Sequence, residues 1–291
     1  MNLKDFRRFF PSRKAASHKG DFGKIFIIAG SRDFPGAPYL TSLAALRAGA
    51  GLITLGVSES LYPIMAYKLT EVMVRCFPGL KDGALGHQAE SGILSFLKAQ
   101  KVLVIGPGLG THPETQRLVR RVVLAWPGAK VIDADGLNAL EGNVSILKRL
   151  GSNTIITPHP GEASRLFNEA VPADDERRKK FAIDKAAKYG VVVVLKGHHT
   201  VVAARGRDVY VNKTGNPGLA TGGSGDVLTG IVAAFLGRGL EPFRAAQCAV
   251  FIHGLAADLA VKKFGEESLA PTDVLDFLPE AFKKTSNRRK G

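Results

Sequence analysis

The stretch N-K-T-G-N-P-G-L-A-T-G-G-S-G-D-V-L-T-G, residues 212–230, decides how the rest of the chain is interpreted. It follows a β-like run and ends where an apolar helical pattern begins. Its glycines let the backbone adopt positive φ and bring N–H groups close to a ligand. A glycine-rich turn that becomes a helix N-terminus directs unpaired N–H groups and the positive end of the helix dipole at one point. The stretch therefore predicts a phosphate site at the start of a helix.

Asp226 falls in the first turn of that predicted helix. Because a carboxylate does not stabilise a phosphate, we interpret Asp226 as a general base that takes a proton from a hydroxyl attacking the phosphate. The alternative is that Asp226 caps the helix. The stretch is not a Walker A loop, since no Gly-Lys-Ser/Thr follows the glycines, and it lacks the G-x-G-x-x-G spacing of a dinucleotide fold. Phosphoryl transfer is the interpretation that we favour.

Strand-like apolar runs alternate with helical patterns along the chain. This alternation predicts βαβ units with right-handed crossovers: an α/β protein, a three-layer α/β/α sandwich around a mostly parallel sheet. Residues 200–204 and 208–212, joined by R-G-R, predict a hairpin that adds antiparallel strands at the C-terminal side. The other predicted strands are residues 24–29, 52–57, 72–77, 102–105, 130–133, 153–157 and 191–196. The main predicted helices are residues 39–48, 90–97, 114–126, 177–189, 245–262 and 272–282.

The net charge of +14 is concentrated at the two ends of the chain, since residues 1–20 and 281–291 each carry a net charge of +5. We predict a basic, flexible tail over residues 1–17, a single domain over residues 18–283 and a basic tail over residues 284–291. The body is only mildly basic. Without an RNA-binding signature, aromatic–basic interleaving or a zinc finger, we expect no specific nucleic-acid partner.

The lengths of the apolar runs and the number of cysteines indicate the cellular compartment. No apolar run reaches the ~18–20 residues of a membrane span, and no signal peptide opens the sequence. Cys76 and Cys248 are the two cysteines, with no C-x-x-C, which argues against a disulfide scaffold or a zinc site. We therefore expect a cytoplasmic protein that does not associate with membranes.

Most predicted strands are followed by a polar or glycine-rich loop, and ligands of parallel sheets bind at the edge where these loops meet. Lys196 directly follows V-V-V-V-L and suits a nucleotide phosphate as a point charge; the alternative is a solvated lysine at a strand end. His159, between two prolines, presents an imidazole rigidly, either to a polar ligand or to its own turn.

Other polar residues at strand ends leave alternatives open. His198 and His199 are neighbours on a strand-like segment, so we expect their side chains to point to opposite sides and not to share a metal ion. Asp133, Asp135 and Glu162 are carboxylates at strand ends. One of them can hold the Mg²⁺ that normally accompanies phosphate transfer, or the two aspartates can cap the turn that follows.

Six motifs, in order along the chain, are similar to one family. They are H-K-G-D-F-G (18–23), G-P-G-L-G (106–110), D-A-D-G-L-N (133–138), T-P-H-P-G-E (157–162), K-G-H-H-T (196–200) and N-P-G-L-A-T-G-G-S-G-D-V-L (216–228). Together they resemble the ADP- or ATP-dependent NAD(P)H-hydrate dehydratases, which have a ribokinase-like fold. The resemblance covers almost the whole chain and implies a stand-alone dehydratase, without the epimerase domain that many members carry.

The resemblance implies a repair reaction, in which ADP or ATP, with Mg²⁺, is spent to remove water from the S epimer of hydrated NADH or NADPH. Hydroxide is a poor leaving group and phosphate a good one. By this likeness, Asp226 deprotonates the hydroxyl of the hydrate, and NAD(P)H, phosphate and AMP or ADP are released. Backbone N–H groups of Gly223, Ser224 and Gly225 form the anion hole, a contribution of ~3–4 kcal/mol per donor in comparable oxyanion holes.

The resemblance also implies which residues contact each ligand. The nucleotide positions are Lys196, Gly197, His198, His199, Thr200 and Gly225. The positions for the hydrated dinucleotide are Ala37, Gly108, His159 and Asp226. Metal ligands are not assigned. The G-A-P at residues 36–38 departs from the G-A-A of the family, which affects the Ala37 assignment.

The family resemblance implies a homotetramer. A rival function is a ribokinase-like kinase of a small alcohol, such as a vitamin precursor, which uses the same acid and anion hole but retains the phosphate on its product. A third alternative is a non-catalytic nucleotide-binding protein. Fold likeness does not separate these functions; the T-P-H-P-G-E and K-G-H-H-T loops favour the dehydratase.

Overall fold

The structure, a computed structural model, describes residues 1–10 and 14–285. Its strands are β1 Lys24–Ile28, β2 Leu52–Ser58, β3 Met73–Phe77, β4 Val102–Ile105, β5 Ala129–Ile132, β6 Thr154–Ile156, β7 Val192–Leu195, β8 Val201–Ala203 and β9 Tyr210–Val211. Its helices are α1 Leu3–Phe9, α2 Gly36–Arg47, α3 Tyr62–Lys68, α4 Glu90–Leu97, α5 Pro113–Ala125, α6 Asp135–Asn138, α7 Leu147–Leu150, α8 Pro160–Phe167, α9 Asp175–Tyr189, α10 Ser224–Gly237, α11 Pro242–Phe264 and α12 Pro271–Thr285.

The nine strands form one sheet in the order β3-β2-β1-β4-β5-β6-β7-β8-β9. Strands β1 to β7 pair in parallel, whereas β8 and β9 add in antiparallel fashion beside β7. The predicted mostly parallel sheet with a C-terminal antiparallel hairpin is confirmed. Because β1 pairs with both β2 and β4, the strand order reverses there. In open α/β sheets, the crevice at such a switch point is the usual ligand site.

The residues of β1 explain why helices cover both faces. Successive side chains of a strand point to opposite faces. Ile25 and Ile27 enter one core with apolar residues of α2, α10, α11 and α12. Phe26 and Ile28 enter a second core with apolar residues of α4, α5 and α9. Each fully buried side chain of this size stabilises the fold by about 1.5–3 kcal/mol, and the predicted α/β/α sandwich is confirmed.

Helix α10 packs closely against α2 because of one glycine. A Cβ at Gly230 would lie 2.2 Å from the carbonyl oxygen of Thr41, so a larger residue would push the two helices apart. Helix α2 follows the loop after β1, and α10 follows the glycine-rich stretch. The contact therefore holds the start of α10 near the switch point of the sheet.

Residues 1–10 differ from the flexible tail expected for residues 1–17, of which residues 11–13 lie outside the described part of the chain. Leu3–Phe9 is a helix, capped by Asn2, whose side chain accepts hydrogen bonds from backbone N–H groups of the first turn. Phe6 is 1% exposed, and its ring lies 6.1 Å from that of Phe235 in α10. In the sequence, the many charged residues of this segment made the apolar face through which it packs difficult to recognise. In the predicted tail at 284–291, residues 284 and 285 belong to α12, and residues 286–291 lie outside the described part of the chain.

Among the described residues, α11 is the one helix long and apolar enough to cross a membrane by length and composition. Its most apolar 18-residue window is 78% buried inside the protein. Such burial is typical of the core helix of an α/β protein.

Candidate active site

A cavity of about 450 Å³ opens beside the C-terminal end of β7. Its wall combines the turn after β7, the segment after β9, the first turn of α10 and part of α11. All six residues predicted to contact a nucleotide line it: Lys196, Gly197, His198, His199, Thr200 and Gly225. The volume lies in the range of ligand pockets, about 300–1,000 Å³.

The glycine-rich stretch becomes α10 at Ser224, as the sequence predicts. Gly223 occupies the N-cap position with φ 98°, a conformation that favours glycine, and no side chain caps the helix. Asp226 is the third helical residue, so the alternative that it is the N-cap is wrong. The N–H of Ser224 donates to the carbonyl oxygen of Thr221 at 3.2 Å. This amide must exchange that partner before it binds an anion.

Burial and neighbouring charges raise the pKa of Asp226 to about 7. Burial is the largest cause, and the carboxylate of Asp133 adds to it. The ammonium of Lys196 acts in the opposite direction, while Asp135 and Glu162 raise the pKa further. A carboxylate with a pKa near the working pH is suited to accept a proton and to release it again.

Lys196 lies between two buried carboxylates at the end of β7. Its Nζ is 2.9 Å from Oδ1 of Asp133 and 3.6 Å from Oε2 of Glu162. Burial alone lowers the pKa of Lys196, but the two carboxylates outweigh it and raise the pKa. A Cβ at Gly225 would lie 3.1 Å from this Nζ, so the ammonium adjoins the first turn of α10. The alternative of a solvated lysine is wrong.

The two aspartates after β5 have different hydrogen-bond partners. Asp133 accepts hydrogen bonds from Lys196 and from the hydroxyl of Thr229 in α10. Asp135 accepts from the N–H of Gly110 at 2.8 Å and from the amide of Asn138 at 3.0 Å. The carboxylate of Asp133 therefore joins β7 to α10, whereas that of Asp135 holds the G-P-G-L-G loop.

His159 satisfies one ring nitrogen within its own turn. It is the N-cap of α8, where Nδ1 accepts from the N–H of Gly161 at 3.0 Å, and Glu162 accepts from the backbone N–H of His159 at 2.7 Å. Because Nδ1 is an acceptor, the neutral ring carries its proton on Nε2. Nε2 lies 3.5 Å from Oε1 of Glu162, and the side chain is 51% exposed.

Two predicted substrate residues meet at the switch point of the sheet. Ala37 is the second residue of α2, and Gly108 lies in the loop after β4 with φ 63°. A Cβ at Gly108 would lie 2.9 Å from the Cβ of Ala37. Pro38, where the sequence departs from the family, occupies the third position of α2. A proline is tolerated there because N–H groups of a first helical turn have no intrahelical acceptor.

His198 and His199 do not point to opposite sides, so that expectation is wrong. Their ring centroids are 3.8 Å apart, because His199 adopts φ 53° in a turn and not in a strand. His199 also contacts Asp175 at 2.7 Å. Among the residues that the structure describes, no group of three or more His, Cys, Asp or Glu side chains is placed to hold a metal ion.

The sequence missed two residues near this site. Thr229 is fully buried in α10 and donates to Asp133. His253 lines the cavity from α11, and its Nε2 has no hydrogen-bond partner among the described residues. Burial, followed by the charge of Lys196, lowers the pKa of His253 to about 4. Thr229 lies in the quoted 212–230 stretch, but nothing in that pattern singles it out, and His253 lies in a helix outside every motif.

The fold and the glycine-rich helix N-terminus define a ribokinase-like α/β protein. A ribokinase-like superfamily protein from Enterococcus faecalis superposes with a TM-score of 0.84 at 27% identity, over 98% of this chain and 95% of that one. The profile of the NAD(P)H-hydrate dehydratase family matches residues 25–280. The chain belongs to this family.

Two relatives illustrate the match. The ADP-dependent (S)-NAD(P)H-hydrate dehydratase of Bacillus subtilis is 34% identical over 96% of this chain and 95% of that protein. A crystal structure of the Bacillus subtilis ADP/ATP-dependent enzyme, co-crystallised with ATP/Mg²⁺, superposes with a TM-score of 0.83 at 32% identity and 98% coverage of both chains. The bifunctional NAD(P)H-hydrate repair enzyme Nnr of Moorella thermoacetica is 41% identical over 94% of this chain. This chain spans 52% of that bifunctional relative.

Proposed function

We propose that this protein removes water from the S epimer of hydrated NADH or NADPH, spending ADP or ATP and regenerating the reduced cofactor. The observation that carries the proposal is the position of Asp226. This acid, with its pKa raised to about 7, lies in the first turn of α10, next to the Gly225 wall of the cavity. The family and the name of the Bacillus subtilis relative support the choice of substrate.

The chemistry needs one base and one electrophile. Asp226 takes the proton of the hydroxyl group on the hydrate, and that oxygen attacks the terminal phosphorus of the nucleotide. The bond to the bridging oxygen breaks, so that ADP leaves AMP and ATP leaves ADP. The lone pair of the ring nitrogen then expels phosphate. Loss of a proton from the adjacent ring carbon restores the double bond of NAD(P)H.

Backbone N–H groups of Gly223, Ser224 and Gly225 form the anion hole in this proposal. The positive end of the α10 dipole reinforces them, since it points at the same place. We assign the nucleotide to the cavity lined by residues 196–200. We assign the hydrated dinucleotide to the edge formed by Ala37 and Gly108, with His159 and Asp226 as further contacts. To donate to this substrate, Nε2 of His159 exchanges its 3.5 Å contact with Oε1 of Glu162.

Mg²⁺ enters with the nucleotide in this proposal. The carboxylates of Asp133, Asp135 and Glu162 already accept hydrogen bonds from the protein. These three carboxylates therefore suit an ion that takes most of its oxygen ligands from phosphate and water, as Mg²⁺ commonly does. Bound there, Mg²⁺ would neutralise negative charge on the phosphates.

The same site suits a small-molecule kinase less well. A kinase of this fold also needs the base and the anion hole, but it retains the phosphate on its product. The family assignment and the T-P-H-P-G-E and K-G-H-H-T loops favour the dehydratase. Retention of an acid in the first turn of α10 argues against a non-catalytic nucleotide-binding protein.

The test is to incubate the protein with hydrated NADH or NADPH, Mg²⁺ and either ADP or ATP. We expect the reduced-nicotinamide absorbance to recover with one phosphate released per cofactor. A stable phosphate ester without recovered absorbance would replace the proposal with the kinase. Unchanged nucleotide in every mixture would support a non-catalytic protein.

We also propose a cytoplasmic homotetramer with no specific nucleic-acid partner and no membrane association. The assembly is supported by apolar side chains exposed on α3 and on the edge strand β3, namely Ile64, Tyr67 and Met73. Tyr67 is 90% exposed. Light scattering after size-exclusion chromatography measures the mass, and a monomeric mass would refute the tetramer. Both cysteines, Cys76 and Cys248, are free thiols, as in a reducing compartment.

A further inference from the structure

We propose that Asp133 is a positioning residue for the transfer step. Its buried carboxylate binds both the ammonium of Lys196 and the hydroxyl of Thr229. It thereby fixes the position of Lys196 relative to α10, the helix that carries Asp226. This inference rests on the proposed function of the site. It gives a role to a residue that does not itself line the cavity.

The geometry of the carboxylate carries the proposal. Oδ1 of Asp133 accepts from Nζ of Lys196 at 2.9 Å, and Oδ2 accepts from Oγ1 of Thr229 at 2.7 Å. Asp133 is 1% exposed, and Thr229 is fully buried, so water does not compete for either bond. A charge-assisted hydrogen bond in such surroundings is strong and directional.

Thr229 connects this bond to the catalytic acid. It lies three residues after Asp226 in α10, and residues three apart share one face of a helix. The hydroxyl of Thr229 is therefore the point at which Asp133 fixes the rotation of the helix about its axis. That rotation decides where the carboxylate of Asp226 points.

Lys196 connects the same carboxylate to the cavity. Its Nζ adjoins Gly225 at the cavity wall, while Asp133 and Glu162 hold it from behind. A lysine has a flexible four-carbon stem and loses its direction without such partners. Asp133, at the end of β5, thus contacts both the lysine that follows β7 and the first turns of α10.

The charge of Asp133 also acts on Asp226. After burial, this neighbouring carboxylate is the largest cause of the raised pKa of Asp226. The other charged groups that face Asp226 are Lys196, which lowers the pKa, and Asp135 and Glu162, which raise it. Removal of the charge at position 133 therefore lowers the pKa of Asp226 and makes it a weaker base.

Substitutions at Asp133 and at Thr229 separate the effect of the Asp133 charge from the effect of the hydrogen bond between these two residues. Asp133→Asn keeps the shape and removes the charge. Thr229→Val keeps the shape and the Asp133 charge but removes the hydroxyl, whereas Thr229→Ser retains the hydroxyl as a rescue. Asp276→Asn, on the exposed side of α12, is the matched control for loss of one negative charge. Unfolding midpoints of all four variants show whether each is folded at the assay temperature.

We expect Asp133→Asn to lower kcat about tenfold or more while nucleotide affinity, measured by calorimetry, changes by less than about threefold. The acidic limb of its pH profile moves to lower pH. Thr229→Val lowers kcat without moving that limb to lower pH, and Thr229→Ser restores kcat. If Asp133 had a merely structural role, Asp133→Asn would lower the unfolding midpoint but leave the acidic limb of the pH profile unchanged. Wild-type kcat and an unmoved limb in Asp133→Asn would overturn the proposal.

A second measurement is independent of turnover. Protein labelled with ¹³C at aspartate carboxyl groups reports the titration of Asp226 by NMR, with Asp226→Asn identifying the resonance. We expect the titration midpoint of Asp226 to be lower in Asp133→Asn than in the wild type, and an unchanged midpoint contradicts the proposal. If the wild type does not act on the hydrate, the proposed function fails, whereas this titration still decides the link between the two aspartates.

Discussion

Nζ of Lys196 lies 3.6 Å from Oε2 of Glu162, which joins the end of β7 to the first turn of α8. The same Glu162 closes the capping box of His159. One cation thus stabilises the carboxylate on which the T-P-H-P-G-E loop depends. The proposed nucleotide side and the proposed substrate side of the site share a single ionic network.

Lys196→Met tests this network. Loss of the cation leaves two buried carboxylates without their partner, at a cost of about 3–5 kcal/mol in the free energy of unfolding. It also removes the charge that lowers the pKa of Asp226, so the acidic limb of activity moves to higher pH, opposite to the shift expected for Asp133→Asn. Chemical denaturation and calorimetry with ADP measure stability and affinity. Lys148→Met, at an exposed position, is the control, and equal nucleotide affinity in the two variants would contradict the role of Lys196.

Asp226→Asn tests the base. The amide cannot accept the proton, so we expect turnover to fall by more than about 100-fold. Nucleotide affinity is retained, because the anion hole is made of backbone N–H groups. Single-turnover kinetics and calorimetry measure the two quantities. Near-normal turnover would refute the role of Asp226.

The pH dependence of the wild type follows from the same residue. The pKa of Asp226 is raised to about 7, and the acid must be ionised to accept a proton. Activity is therefore expected to fall as the pH drops through about 7 and to be fully developed above it, whereas an ordinary aspartate would remain active to about pH 4. Profiles of kcat/KM measure this limb. Full activity at pH 5 would contradict the assignment.

Phe6→Ala tests the packing of α1. Phe6 is 1% exposed and contacts aromatic residues of α10, α11 and α12. Its truncation leaves a cavity, and we expect a loss of about 3–5 kcal/mol in the free energy of unfolding. Leu3→Ala, at a residue that is 37% exposed in the same helix, is the control and should change stability little. Equal stability of the two variants would show that α1 does not contribute to the core.

Two truncations test the C-terminal end. Nε of Arg7 donates to the carbonyl oxygen of Thr285 at 2.5 Å, and Nη2 donates to that of Lys284 at 3.3 Å. Deletion of residues 286–291 keeps both acceptors, so we expect unchanged activity and unfolding temperature. Deletion of residues 284–291 removes both acceptors and is expected to lower the unfolding temperature while the active site remains intact. A large loss of activity in the shorter deletion would show that these terminal residues take part in function.

Local patterns in the sequence predicted most of the architecture. Short apolar runs separated by amphipathic segments specify strands and helices through side-chain periodicity, which needs no knowledge of distant residues. The glycine-rich stretch likewise specified the start of α10 and placed Asp226 in its first turn. Charge misled the interpretation of residues 3–9, because a tally of Lys and Arg does not register an apolar face as narrow as that of Phe6.

The sequence by itself thus determined the α/β sandwich, the glycine-capped N-terminus of α10 and the edge at which the loops gather. Only the tertiary structure decided which partner each charged side chain takes. Asp133 lies 63 residues before Lys196 and 96 residues before Thr229, so no local pattern relates them. Their pairing depends on the order of the strands and on the close packing of α10 against α2, which bring the three residues together in a buried place where each polar group must find a partner.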